Sequence, residues 1–239
     1  MKKAFCALLC LVLLAVHGAA LGLDVSRENG QPERLKKSNI MTFKTNRYTE
    51  DRPLIIFFPG SKECSDLSGT MRFIRKYHLY DNVEADLIAV TIKTGGIRPR
   101  DWEAPSQDML AYVQEKYGSL KPTIIVDAVS FGGYGGCYLA QLFSENGFPV
   151  KELNLADGTI PNSVTADWLR ELAGSGIQVN VWGCYGSINV SREGRRIVEE
   201  LEGTENFQGK LLKCSHGQVL HFAIWENGLH AEYMQKEEP

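Results

Sequence analysis

Apolar positions in this chain fall into short continuous runs separated by amphipathic stretches. Residues 53–58 (Pro-Leu-Ile-Ile-Phe-Phe) are apolar throughout and stop at Pro59-Gly60. A run of that length without polar alternation predicts a strand covered on both faces. Residues 86–92, 150–156 and 177–182 predict further strands, and 210–214 supply a last short strand. Residues 40–45 mix apolar and polar positions and predict an edge strand. Helical spacing recurs between these runs, at Met71, Ile74 and Arg75 within 67–78. Ser106 opens a predicted helix with Met109, Leu110 and Val113 on one face, and Gly118 closes it. Residues 165–173, 193–201 and 218–233 predict three more helices.

Strands alternating with helices imply a three-layer α/β/α sandwich around a mostly parallel sheet. No repeat, low-complexity tract or inserted domain interrupts the alternation, so residues 37–239 read as a single domain. Residues 21–36 are polar and aperiodic and predict a loose lead-in. Ahead of them, Met1-Lys2-Lys3, an apolar stretch from Ala4 to Val16 and the small residues Gly18 and Ala20 have the form of a secretory signal peptide. It would occupy residues 1–20, with cleavage after Ala20. That apolar stretch is too short to span a bilayer, and no later segment is long and apolar enough to do so. The expectation is an exported protein, secreted or periplasmic, with no membrane span in the mature chain.

The chain carries 26 basic and 29 acidic residues, a formal net charge of −3. Loss of Lys2 and Lys3 with the leader makes it more acidic still. No basic stripe is present to neutralise phosphates, which argues against a nucleic-acid partner. Beyond the leader, Cys64, Cys137, Cys184 and Cys214 allow disulfides in an exported chain, but their spacing matches no zinc pattern. Free buried thiols are the alternative.

The chemistry-bearing segment is 123–136. Thr123-Ile124-Ile125-Val126 reads as a buried strand, Asp127-Ala128-Val129-Ser130-Phe131-Gly132 as a turn, and 137–143 as a helix. A serine on a sharp strand-to-helix turn is held out of the backbone, with its hydroxyl aimed at the C-terminal edge of the sheet. Such a turn leaves no room for large side chains two residues to either side, where Ala128 and Gly132 stand. A dinucleotide fingerprint beginning at Gly133 would need glycine where Tyr138 stands, and the Gly-Lys-Ser/Thr of a P-loop is absent. No cofactor is implied.

Together, the strand ending in Pro59-Gly60, the Ala-Val-Ser-Phe-Gly turn and His216-Gly217 after the last strand make the chain resemble the α/β-hydrolase family over 50–235. The resemblance implies an α/β-hydrolase fold and a nucleophilic serine, an acid and a histidine in that chain order. Ser130 is then the nucleophile. His216 is the expected base, two residues past the last predicted strand. His230 competes if 219–226 were the final strand instead. The strand 177–182 is followed by Gly183-Cys184 rather than by a carboxylate. The acid is therefore expected one strand earlier, at Asp157, with Asn189 as a neutral substitute. Oxyanion donors by resemblance are the backbone amides of Phe131 and Ser61. Cys184 and Cys214, near the ends of neighbouring strands, are the pair expected to bridge if oxidised.

These readings imply a serine hydrolase acting on a small-molecule acyl substrate, an ester in the first instance, through an acyl-enzyme. The other function open to the sequence is a hydrolase-like binding module with little or no catalysis.

Overall fold

The continuous apolar runs become the centre of one eight-stranded sheet, in the order β1-β2-β4-β3-β5-β6-β7-β8. In this computed structural model the described residues are 30–44, 52–60, 66–92, 100–118, 120–157, 166–185 and 190–234. The predicted leader, Ser61, Cys64 and Asn189 lie outside them. Strands β3 (Leu54–Phe58), β4 (Asp86–Ile92), β5 (Ile124–Val129), β6 (Val150–Ala156), β7 (Gln178–Cys184) and β8 (Phe207–Leu212) run parallel. β1 (Gln31–Arg34) and β2 (Ser38–Phe43) form an antiparallel flank against β4.

Both faces of the sheet are covered. One face packs α2 (Arg100–Tyr117), α3 (Gly132–Glu145), α4 (Ala166–Gly174) and α5 (Val190–Leu201) around Phe58, Trp102, Val126, Phe143 and Leu153. The other packs α1 (Leu67–Lys76) and α6 (Val219–Asn227) around Ile55, Phe57, Ile74, Trp182 and Ile224. This is the expected three-layer α/β/α sandwich. Every side chain of β3 and β5 is buried, which explains why their sequences lack polar alternation.

Four local differences have physical causes. Residues 31–34, expected in a loose lead-in, instead form β1. This exposed edge strand needs only one neighbour, so it carries no apolar periodicity. β5 runs on through Asp127 to Val129, because the Asp127 charge is satisfied inside the protein and does not end the strand. The helix expected from Ser106 begins at Arg100 and includes Pro105. Proline forfeits one main-chain hydrogen bond there. Trp102 offsets that loss by burying its ring edge-on to Phe58, with centroids 5.5 Å apart. The closing helix is broken at Gly228, whose φ of 75° ends α6 in a left-handed turn.

Candidate active site

β5 hands the chain to α3 through Ser130, which takes a φ of 54°. A non-glycine residue in the left-handed region is strained, and it persists only where its surroundings hold it. Ser130 N–H donates to the Ala156 carbonyl (3.2 Å), and Gly133 N–H donates to the Ser130 carbonyl (3.0 Å). Glycines make the turn feasible. A Cβ on Gly132 would come 2.3 Å from the Phe58 carbonyl oxygen, and one on Gly136 2.7 Å from Ala128 Cβ. These contacts fit the expected sharp elbow at Ser130 and the small residues around it.

The loop leaving β3 is pressed against the same turn. A Cβ on Gly60 would lie 2.0 Å from the Val129 oxygen and 2.4 Å from the Phe131 nitrogen. Only glycine allows that approach. The Phe131 amide, an expected oxyanion donor, therefore sits at the junction of elbow and β3 loop. Ser61, the other expected donor, lies outside the described residues.

Asp157 follows β6, its φ of 46° again left-handed, and its N–H donates to the Trp182 carbonyl of β7. Its side chain is fully buried, and Oδ2 stands 2.5 Å from His216 Nδ1. His216 opens a one-turn 3-10 helix, His216–Gln218, and its side chain stays 38% exposed. Ser215 fixes that turn: its N–H and Oγ both face Gln218 Oε1, at 3.2 and 2.7 Å. One ring nitrogen is thus held by a buried carboxylate, which leaves Nε2 for a proton on the open side. Because Ser130 N–H bonds the residue preceding Asp157, the three side chains share one edge of the sheet.

The other described histidines do different work. His78 pairs with Asp81 at the surface, 3.1 Å away. His221 Nδ1 meets the Tyr77 carbonyl at 2.7 Å. His230, the competitor under the alternative parse, is buried in the core with Nε2 2.9 Å from Asp127 Oδ2. There is no late strand at 219–226, because those residues form α6.

Asp127 Oδ2 also accepts from Tyr80 Oη (2.8 Å), and Oδ1 accepts from Asn154 (2.8 Å). Burial would push the His230 imidazole toward its neutral form. The Asp127 charge and hydrogen bond, helped by Glu152 and Glu232, outweigh burial and raise its pKa. The cluster has the chemistry of a structural ion pair.

Two features of the site escaped sequence reasoning. Cys184 and Cys214, the pair expected to bridge if oxidised, form no disulfide, and Cys184 Sγ lies 3.2 Å from Asp157 Oδ2. The only prior signal was the place of Cys184 at the end of a strand beside the acid. The packing of Gly60 against the elbow was likewise unread, although Pro59-Gly60 marked the loop. Cys214 is half-buried, and its thiol pKa is raised by burial and then by the charges of Asp157 and Glu226.

Comparison with known proteins shows the fold. No family model matches the chain, and no curated protein sequence does. Among solved structures, a thermostable esterase is similar with a TM-score of 0.60 at 14% identity, over 86% of this chain and 62% of that one. The chain thus spans less than two thirds of that esterase's length. A thermophilic esterase from the planctomycete Thermogutta terrifontis, solved with butyrate bound, gives a TM-score of 0.58 at 12% identity over 88% and 97% of the two chains. An esterase from Pyrobaculum calidifontis gives 0.56 at 14% identity over 85% and 83%. The chain has the α/β-hydrolase fold. Among the described residues, no helix is long and apolar enough to cross a membrane.

Proposed function

We propose that this chain is a serine hydrolase that cleaves a carboxylic ester of a small-molecule substrate through an acyl-enzyme on Ser130. The observation that carries the reading is the buried Asp157 carboxylate 2.5 Å from His216 Nδ1, at the sheet edge where the strained Ser130 turn ends. That contact supplies the third group which orients a base, the requirement a serine nucleophile makes of its surroundings.

In the proposed reaction, His216 Nε2 takes the Ser130 hydroxyl proton as Oγ bonds to the acyl carbon. Asp157 keeps the ring in the tautomer with a proton on Nδ1 and stabilises the imidazolium that forms. The carbonyl oxygen gains negative charge and is met by the Phe131 amide, with the Ser61 amide as second donor. Collapse breaks the ester C–O bond, and His216 returns its proton to the departing alcohol. Water, deprotonated by His216, then attacks the acyl-enzyme. The carboxylic acid leaves, and Ser130 regains its proton.

The leader-like residues 1–20 support export as part of this proposal. A short acyl chain is the first substrate to try, given that a neighbour of this fold holds butyrate. The test is labelling with a fluorophosphonate probe, together with turnover of p-nitrophenyl acetate and butyrate. Stoichiometric labelling and turnover, both lost in Ser130→Ala, are the expected result. Folded protein that neither labels nor turns over either ester refutes the reading and favours a binding module.

A further inference from the structure

Asp157 is a buried carboxylate whose oxygens need donors, and the structure shows which ones it has. Oδ2 faces His216 Nδ1 at 2.5 Å and Cys184 Sγ at 3.2 Å, while Oδ1 faces the Cys184 N–H at 3.5 Å. One residue therefore meets both oxygens. Cys184 is itself fully buried at the end of β7. A sulfur this close to a carboxylate oxygen is explained by an S–H donor, since a thiolate there would face like charge.

β7 lies between β6, which carries Asp157, and β8, which leads to His216. The acid and base therefore meet across the end of a strand that contributes no carboxylate. At that end stands Cys184, the last residue of β7. The side chain that meets Asp157 there is small and carries a donor.

We propose that Cys184 is a positioning residue: its thiol and backbone N–H fix the Asp157 carboxylate so that Oδ2 is aimed at His216 Nδ1. This rests on the hydrolase reading for its catalytic consequence and on geometry alone for the contact. Valine or alanine would fill much of the space without donating. Serine keeps a donor on a shorter bond. Donation can therefore be separated from packing.

The experiment compares wild type, Cys184→Ala, Cys184→Ser and the control Cys214→Ala, all checked for folding by thermal melting. The first readout is the low-field proton resonance of His216 Nδ1–H, assigned by its disappearance in His216→Ala. The second is ester turnover. In Cys184→Ala the resonance is expected to move upfield or broaden, and kcat to fall about three- to tenfold with KM unchanged. Cys184→Ser should restore most of both, and Cys214→Ala should change neither.

A third readout needs no change at Cys184. The S–H stretching band of Cys184 in the wild type should shift in Asp157→Asn. An alanine variant with unchanged resonance and kcat overturns the proposal. So does a serine variant no better than alanine, or an S–H band indifferent to Asp157. If the wild type turns over no ester while the resonance still depends on Cys184, the hydrolase reading fails and the positioning role stands.

Discussion

Replacing His230 with alanine separates a structural histidine from a catalytic one, and the contacts fix the magnitude. His230 and Asp127 side chains are both 0% exposed, with Nε2 2.9 Å from Oδ2. At pH 6 the imidazole is charged, because that is below the ordinary histidine value and the folded value is higher still. Alanine then leaves Asp127 as a buried carboxylate whose partners among the described residues, Tyr80 and Asn154, are neutral donors. Breaking a buried pair from one side costs about 3–5 kcal/mol. With a urea slope of about 2 kcal/mol/M, the unfolding midpoint should fall by roughly 1.5–2.5 M.

A double-mutant cycle with Asp127→Asn makes the prediction sharper. Removing the charge as well as its partner should recover part of the loss, so the double variant is less destabilised than the sum of the singles by at least about 1 kcal/mol. Folded His230→Ala should still label at Ser130 at close to the wild-type rate. Additive single effects would refute the ion-pair argument. Folded His230→Ala that no longer labels would restore His230 as a catalytic candidate.

Asp157→Asn should lower kcat on the order of 10³- to 10⁴-fold while the protein stays folded, because the amide favours the wrong imidazole tautomer. Unchanged ester turnover in that variant refutes the assignment of the acid. Gly60→Ala should cost roughly 3 kcal/mol or prevent folding, since its Cβ would sit 2.0 Å from the Val129 oxygen; a wild-type melting temperature would contradict the packing. His230 also predicts the pH dependence of stability. Its raised pKa means its stabilisation is full below about pH 6.5 and is lost as pH rises through the folded value. Glu152 acts in the same direction. Burial is the largest influence on it and raises its pKa, so the folded state gives up that proton reluctantly as pH rises. Urea midpoints should therefore fall between pH 6 and 8.5 in the wild type and fall less in His230→Ala; parallel curves would contradict the linkage.

The sheet was legible because burial on both faces leaves an unmistakable residue pattern. Leu54–Phe58 has no polar position to confuse its reading. The elbow was legible because its steric demands select small residues at fixed offsets from Ser130. What escaped was whatever depends on partners distant in sequence. β1 is recognisable only by its register with β2, and Arg100–Ser106 become helix because Trp102 finds a core to fill. Asp127 resembled the end of a strand because its partners, Tyr80, Asn154 and His230, lie 47, 27 and 103 residues away.

The acid shows the same rule at the site itself. Asp157 and His216 are 59 residues apart and come from segments separated in the sheet by β7. Sequence could say that a carboxylate stood at the end of β6 and that none followed β7. Whether the first could serve in place of the second depended on whether a side chain could reach across β7's end. The sheet answers through backbone geometry: Asp157 N–H bonds the Trp182 carbonyl of β7, while Tyr185 N–H bonds the Leu212 carbonyl beyond it. These two links tie the ends of β6, β7 and β8 in sequence. They bring the Asp157 carboxylate to the turn that presents His216, with Cys184 of β7 in contact with it. β7 contributes no acid, yet its last residue touches both oxygens of the one that follows β6.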